Sequence, residues 1–268
     1  MKKKILRVVE VLLLLVILFC LFQIGSYLWG RWQSDRTFDA VAQEVESVAS
    51  KQEGTRVTIE GKKEKVPEVP DYRQLLSTLQ AKNTDTIAYL IIDGTQNKYP
   101  IMYSGDNSFY LRKGIDKKYN IQGIPFMDYQ NKKDLSDQNT VLYGHMMYAT
   151  DTIFGIVKRF FEQNFTDQSQ KTFTLVTQSG VYHYRMFSVR RLDADAKYRV
   201  PNMEASAFVN YLENARKHSA TDFAFSRPFT ERDHIVTLST CTPDQDETQR
   251  LALLGVLESV DTIQANAK

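Results

Sequence analysis

Cysteine is almost absent from this chain: of 268 residues only Cys20 and Cys241 carry a thiol. Cys20 lies inside an apolar run with no way to reach Cys241, which excludes a disulfide-stapled fold. A strong charge of either sign is also missing. The whole chain is +2, and residues 33–268 alone are −2, a balance that gives no support for nucleic-acid binding. Internal repeats and low-complexity tracts are absent, so one domain must fill the roughly 200 residues that remain after the N-terminal segments. No small-residue cleavage site of the A-x-A kind follows the N-terminal apolar run, which argues for an uncleaved anchor over a signal peptide.

That run extends from Val8 to Trp29 behind Lys2, Lys3, Lys4 and Arg7. As a helix it spans roughly 30 Å, the thickness of a bilayer core. The basic residues orient the N-terminus to the cytoplasm, and Tyr27, Trp29 and Trp32 mark the outer interface. The expectation is a single-pass protein, with residues 1–32 as cytoplasmic tip and anchor and its bulk outside the membrane. In residues 33–70, Phe38, Val41, Val45 and Val48 form a narrow helical stripe, which either packs on the domain or continues the anchor as a stalk. Lys51 to Pro70 is charged and poor in large apolar residues, and reads as a linker or exposed loop.

The folded domain is expected over 71–268. A helix begins at Asp71 and ends before Asn83. Strand patterns follow at Ile87–Ile92, Tyr99–Tyr103, Ser108–Leu111, Gly123–Met127 and Thr140–Tyr143. Ile153, Phe154, Ile156, Val157, Phe160 and Phe161 trace a helix face capped by Asp151 or Thr152. Thr172–Thr177 and Val181–Arg191 predict a hairpin, Met203–His218 a helix, and Ile235–Thr240 and Leu251–Leu257 the closing strands. Many short strands with inserted helices predict a mainly β protein, a mostly antiparallel barrel or sandwich.

A lone thiol on an exported domain is a liability unless it is buried and inert or carries chemistry. Cys241 ends the strand pattern Thr237-Leu238-Ser239-Thr240-Cys241. A nucleophilic thiol needs a base. His183 sits within a strand, His218 ends a helix and His234 begins a strand, whereas His145 follows Val141-Leu142-Tyr143-Gly144 at a strand end, where scaffolds present reactive groups. Arg250 opens the last strand. If the two final strands are neighbours, the loop between them returns its guanidinium towards Cys241, where it can donate to a developing oxyanion.

Together these segments resemble the sortases, and within them class B. The resemblance also covers Tyr99-Pro100-Ile101 and Gly105-Asp106-Asn107-Ser108-Phe109-Tyr110-Leu111, and extends from about Tyr72 to Leu257. It implies an eight-stranded β-barrel with added helices and a cysteine transpeptidase that cleaves a C-terminal sorting signal of surface proteins through a thioacyl enzyme. In that reading Cys241 is the nucleophile, His145 the general acid and base, and Arg250 the oxyanion donor, with Thr240, Ser239 and Tyr143 binding substrate. The partners implied are sorting-signal-bearing surface proteins or pilins, with a lipid-linked peptidoglycan precursor or a pilin amine as acceptor. No metal or organic cofactor is implied. Class B favours an Asn-Pro-x-Thr-type signal, with specificity in Asn202–Arg227 and the residues flanking His145. Three features depart from the pattern: Met146-Met147 where Asn often follows the histidine, an acidic loop after Cys241 in which Asp244 or Asp246 either serves the site or is solvated charge, and an end strand more continuously apolar than usual. The rival readings are an anchored non-catalytic binding domain, in which Cys241 is buried and inert, and a different Cys–His cell-wall enzyme.

Overall fold

The computed structural model describes residues 2–48, 50–146, 151–163, 171–244 and 246–263. Its first element, α1 (Lys2–Val48), is one unbroken helix, about 70 Å long at 1.5 Å per residue. Its apolar run is fully exposed, as a bilayer-crossing segment is outside its membrane. The stripe beyond it both continues the anchor and docks: Phe38, Val41 and Val45 are buried, and Phe38 meets Tyr99 edge to face at 5.1 Å. Lys82–Glu44 and Lys98–Glu46 ion pairs flank the seam.

Lys51–Pro70 is not a linker. It forms a hairpin of β1 (Lys51–Thr58) and β2 (Lys63–Pro70), with β1 antiparallel to the far end of the last strand. The hairpin gains its hold from a remote partner: Arg56 makes two 2.7 Å bonds to Asp261, while Val69 is fully buried. Helix α2 (Tyr72–Lys82) follows where expected, capped by Asp71, whose carboxylate accepts from Gln74 N–H at 3.0 Å. It buries Tyr72, Leu75, Leu76 and Leu79.

The barrel strands are β3 (Thr86–Ile92), β4 (Lys98–Met102), β5 (Phe126–Met127), β6 (Asn139–Tyr143), β7 (Thr172–Thr177), β8 (Val181–Asp193), β9 (Ile235–Cys241) and β10 (Gln249–Ile263). They pair in the order β10-β8-β7-β3-β4-β5-β6-β9, and β9 pairs back onto β10 to close an eight-stranded barrel. Pairing is antiparallel except at β4–β5 and β6–β9. Hairpin β1–β2 extends the sheet beyond this ring, leaving β2 as its free edge.

Three local expectations change. Ser108–Leu111 is not a strand: Asp106 accepts from the N–H groups of Ser108 and Phe109 at 2.6 and 2.7 Å, and this Asx turn starts a 3-10 helix at Phe109–Arg112. Only Phe126–Met127 of the expected 123–127 strand is paired. Helix α3 is shorter, Ile156–Phe161, with Gly155 in place of Asp151 or Thr152 at its start. Ile153, at φ +56°, gives its N–H to Tyr99 Oη and cannot join a helix.

The core divides in two. Leu251 and Leu253 of β10 face the barrel interior, while Ala252, Leu254 and Val256 pack with Phe187, Phe208, Leu212 and Phe229 beneath helix α4 (Ala205–Lys217). A strand buried on both faces reads as a continuous apolar run, which accounts for the composition of residues 251–257.

Candidate active site

The β9–β10 pairing puts Cys241 directly across from Arg250. Parallel pairing of β6 with β9 sets Tyr143 beside Ser239, and Gly144 N–H donates to Ser239 O at 3.2 Å. That bond carries His145 just past the end of β6, beside the end of β9. Glycine is needed at 144, where a Cβ would stand 2.7 Å from the Ile153 side chain and 2.8 Å from the Phe154 ring.

An open cavity of about 210 Å3 results, lined by Asn107, Leu111, Phe126, Tyr143, Gly144, His145, Arg199, Ser239, Thr240, Cys241 and Arg250. All six residues singled out from the sequence lie on it. Cys241 is half-buried and unpaired. His145 Nε2–H donates to Leu111 O at 2.8 Å, since a carbonyl can only accept, and in the neutral ring this leaves Nδ1 as the basic nitrogen. Its pKa lies below the ordinary imidazole value because burial disfavours the imidazolium; the Leu111 carbonyl opposes this and the Arg112 charge adds to it. Arg250 Nη1 donates to Glu247 O at 2.9 Å and Gln249 O at 2.6 Å, which fixes the guanidinium by backbone on one side.

Ser239 Oγ is 3.0 Å from Tyr198 Oη. Thr240 Oγ1 is buried and has no hydrogen-bond partner among the described residues. Tyr143 Oη donates to Asp128 Oδ2 at 2.6 Å, and burial together with that carboxylate pushes the phenol far above its ordinary range. Asp128 is fully buried and also accepts from Asn107 Nδ2 at 3.1 Å and Gln130 N–H at 2.8 Å.

Arg199, on a 3-10 turn at Lys197–Arg199, was not foreseen. Burial lowers its pKa, but Tyr143, Tyr198 and Asp128 together outweigh burial and hold it above the ordinary value. Asn107 and Leu111 fall within the segment that carries the resemblance, although neither stood out as a site residue. Arg199 has no such signal, being one of many basic residues in a loop. Asp244 and Asp246 of the acidic loop do not line the cavity: Arg191 Nη2 pairs with them at 2.8 Å and 3.4 Å. Met146 bridges to Ile153 in a β-pair, and Met147 lies outside the described residues. Among the described residues no group of His, Cys, Asp and Glu could hold a metal ion.

Comparison with known proteins gives a consistent result. Sortase B of Listeria monocytogenes is 29% identical over 189 residues, covering 70% of this chain and 75% of that protein. Sortase B of Staphylococcus aureus is 24% identical over 250 residues, covering 92% and 94%. The Staphylococcus aureus sortase B–substrate complex superposes with a TM-score of 0.62 at 24% identity, over 69% of this chain and 85% of that one. The family model for the sortase domain matches residues 90–258, the stretch that builds both the barrel and the cavity, and the chain therefore belongs to the sortase family of enzymes, with its similarities in class B.

Proposed function

We propose that this protein is a cysteine transpeptidase that cleaves the C-terminal sorting signal of surface proteins and passes the acyl group to an amine of a cell-wall precursor. Cys241 gives its thiol proton to His145 and attacks the carbonyl of the signal's threonine, forming a carbon–sulfur bond and a tetrahedral oxyanion. Arg250, braced by the Glu247 and Gln249 carbonyls, donates to that oxygen. As the carbon–nitrogen bond breaks, protonated His145 delivers its proton to the leaving amine, and the thioacyl enzyme remains. The incoming amine then attacks the thioester, gives its proton to His145, and releases the thiolate.

The observation that carries this reading is that Cys241 faces Arg250 in register and shares one open cavity with His145. A half-buried thiol in a cavity also weighs against the inert-cysteine reading. Thr240, Ser239 and Tyr143 line the cavity and are assigned to contacts with the bound peptide. Class B similarity favours an Asn-Pro-x-Thr-type signal. The membrane helix has its N-terminus in the cytoplasm and the catalytic domain outside, so tethering concentrates enzyme, signal and acceptor on one surface.

The test is intact-mass spectrometry of the protein with a panel of sorting-signal peptides. A mass increase equal to the N-terminal peptide fragment, lost in Cys241→Ala, supports the reading. A thiol that is neither acylated nor alkylated in the folded protein overturns it in favour of a binding domain. Adding a peptidoglycan-type amine or a pilin lysine peptide to the acylated enzyme then identifies the acceptor.

A further inference from the structure

The barrel begins where the apolar run ends. Gly30 is the first residue of α1 after Trp29, and a Cβ there would stand 3.5 Å from Ile121. Ser34 Oγ lies 2.6 Å from Asn120 Oδ1, and Gln122 Nε2 donates to Asp35 Oδ1 at 2.7 Å. Along the helix axis these contacts stand about 1.5 to 9 Å above Trp29. The polar layer of one leaflet is itself about 5–8 Å deep. The barrel segment that touches α1 at this level therefore lies at headgroup height.

Its composition suits that place. Residues 112–121 carry Arg112, Lys113, Lys117 and Lys118 against Asp116 alone. Lys118 is 84% exposed along its side chain, and Tyr119 is 72% exposed, the most exposed large hydrophobic residue among those described. An open groove of about 330 Å3 runs between this segment and residues 30–37 of α1. Trp29 and Trp32, with ring centroids 5.0 Å apart, lie on the helix at the same level.

We infer that residues 113–121 form a second membrane contact, in which Tyr119 enters the interfacial layer and Lys113 and Lys118 engage the phosphates of anionic lipids. This rests on the reading of Val8–Trp29 as a membrane span. Its consequence for the site is direct. The same segment leads back through the 3-10 helix to Leu111, whose carbonyl holds His145, so the membrane surface supports one wall of the cavity.

The test uses the full-length chain with Cys20→Ser and Cys241→Ala, reconstituted in phosphatidylcholine vesicles with and without phosphatidylglycerol. A single cysteine carrying the fluorophore NBD replaces Tyr119, Phe22 or Ala40 in turn, and spin-labelled lipids serve as quenchers. Ala40 is exposed and stands about 16 Å above Trp29. The expected result is quenching at 22 by deep labels and at 119 by shallow labels, with 40 unquenched. Quenching at 119 should fall several-fold without phosphatidylglycerol or with Lys118→Glu. Quenching at 22 with 119 as silent as 40 overturns the second contact and leaves the anchor standing. No quenching at 22 removes the anchor and this inference together. Quenching at 119 that ignores both lipid charge and Lys118→Glu overturns the anionic-lipid contact.

Discussion

Arg250 and Cys241 sit directly opposite one another on β10 and β9, so the distance between the thiol and the guanidinium is set by the barrel's own closure. Loop flexibility has little part in it. Two backbone carbonyls hold the guanidinium. Arg250→Ala is expected to lower kcat/KM roughly 10²–10³-fold, the usual cost of losing one oxyanion donor. Arg250→Lys should recover only part of this, because a point charge cannot bond both carbonyls and the oxyanion in one plane. Steady-state peptide cleavage checks it, and a fully active Arg250→Ala enzyme would remove Arg250 from the mechanism.

Arg199 extends the cationic lining of the cavity from the opposite loop. Its charge is balanced through Tyr143 by the buried Asp128, which leaves guanidinium donors for a peptide carbonyl or carboxamide. Arg199→Ala should raise KM for the signal peptide about tenfold or more while kcat changes about twofold at most. A loss confined to kcat would show that Arg199 acts on the chemical step instead of on peptide binding.

Tyr143→Phe isolates the support beneath that arginine. It removes the shortest of the three side-chain and backbone bonds made to the Asp128 carboxylate. Leaving a buried carboxylate short of a donor costs about 1–3 kcal/mol. Denaturant unfolding is expected to show that loss of stability, together with a rise in KM in the same direction as Arg199→Ala.

The pH behaviour of His145 follows from its burial. Its folded pKa is depressed, so below about pH 6.5 the unfolded chain binds the proton more readily than the folded one. The fold therefore loses stability as pH falls through about 6.5, and this contribution is absent above it. An NMR titration should place the His145 midpoint below that of a free histidine. His145→Gln should flatten the stability difference between about pH 7.5 and about pH 5.5. A midpoint above 6.5 would contradict the burial argument.

Asp261 binds the β1–β2 hairpin to the barrel. Burial would raise its pKa, but the bonds from Arg56 and His183 outweigh burial and lower it. Its contribution is thus present above about pH 3.9 and is lost as pH falls through the lower folded value. Asp261→Asn is expected to speed hydrogen exchange in Arg56–Thr58 at neutral pH while leaving β7 unchanged. Equal acceleration in both would mean that the hairpin and the barrel unfold as one unit.

Much of this architecture was legible because its signals are local. Cys241 and His145 each end a run of strand residues, and the turn that presents each is written in its neighbours. Asp71 caps α2 through a carboxylate three residues from the amide it binds. Other features depend on distant partners. Lys51–Pro70 looks like a linker until β10 supplies its pairing some 200 residues later, since half-exposed strands need few apolar residues. Arg199 becomes a site residue only through Tyr143 and Asp128. The 109–112 turn was hidden because an Asx turn overrode a sequence rich in strand formers.

Strand β2 is the open edge of the whole sheet, and its sequence has a consequence for life on a crowded surface. Lys63, Glu64, Lys65 and Glu68 are exposed along it, and Pro67 and Pro70 lack the amides that a further strand would need. Charge and missing donors together block edge-to-edge strand addition. Neighbouring copies confined to two dimensions, where collisions are frequent, can therefore slide past one another without zippering into aggregates.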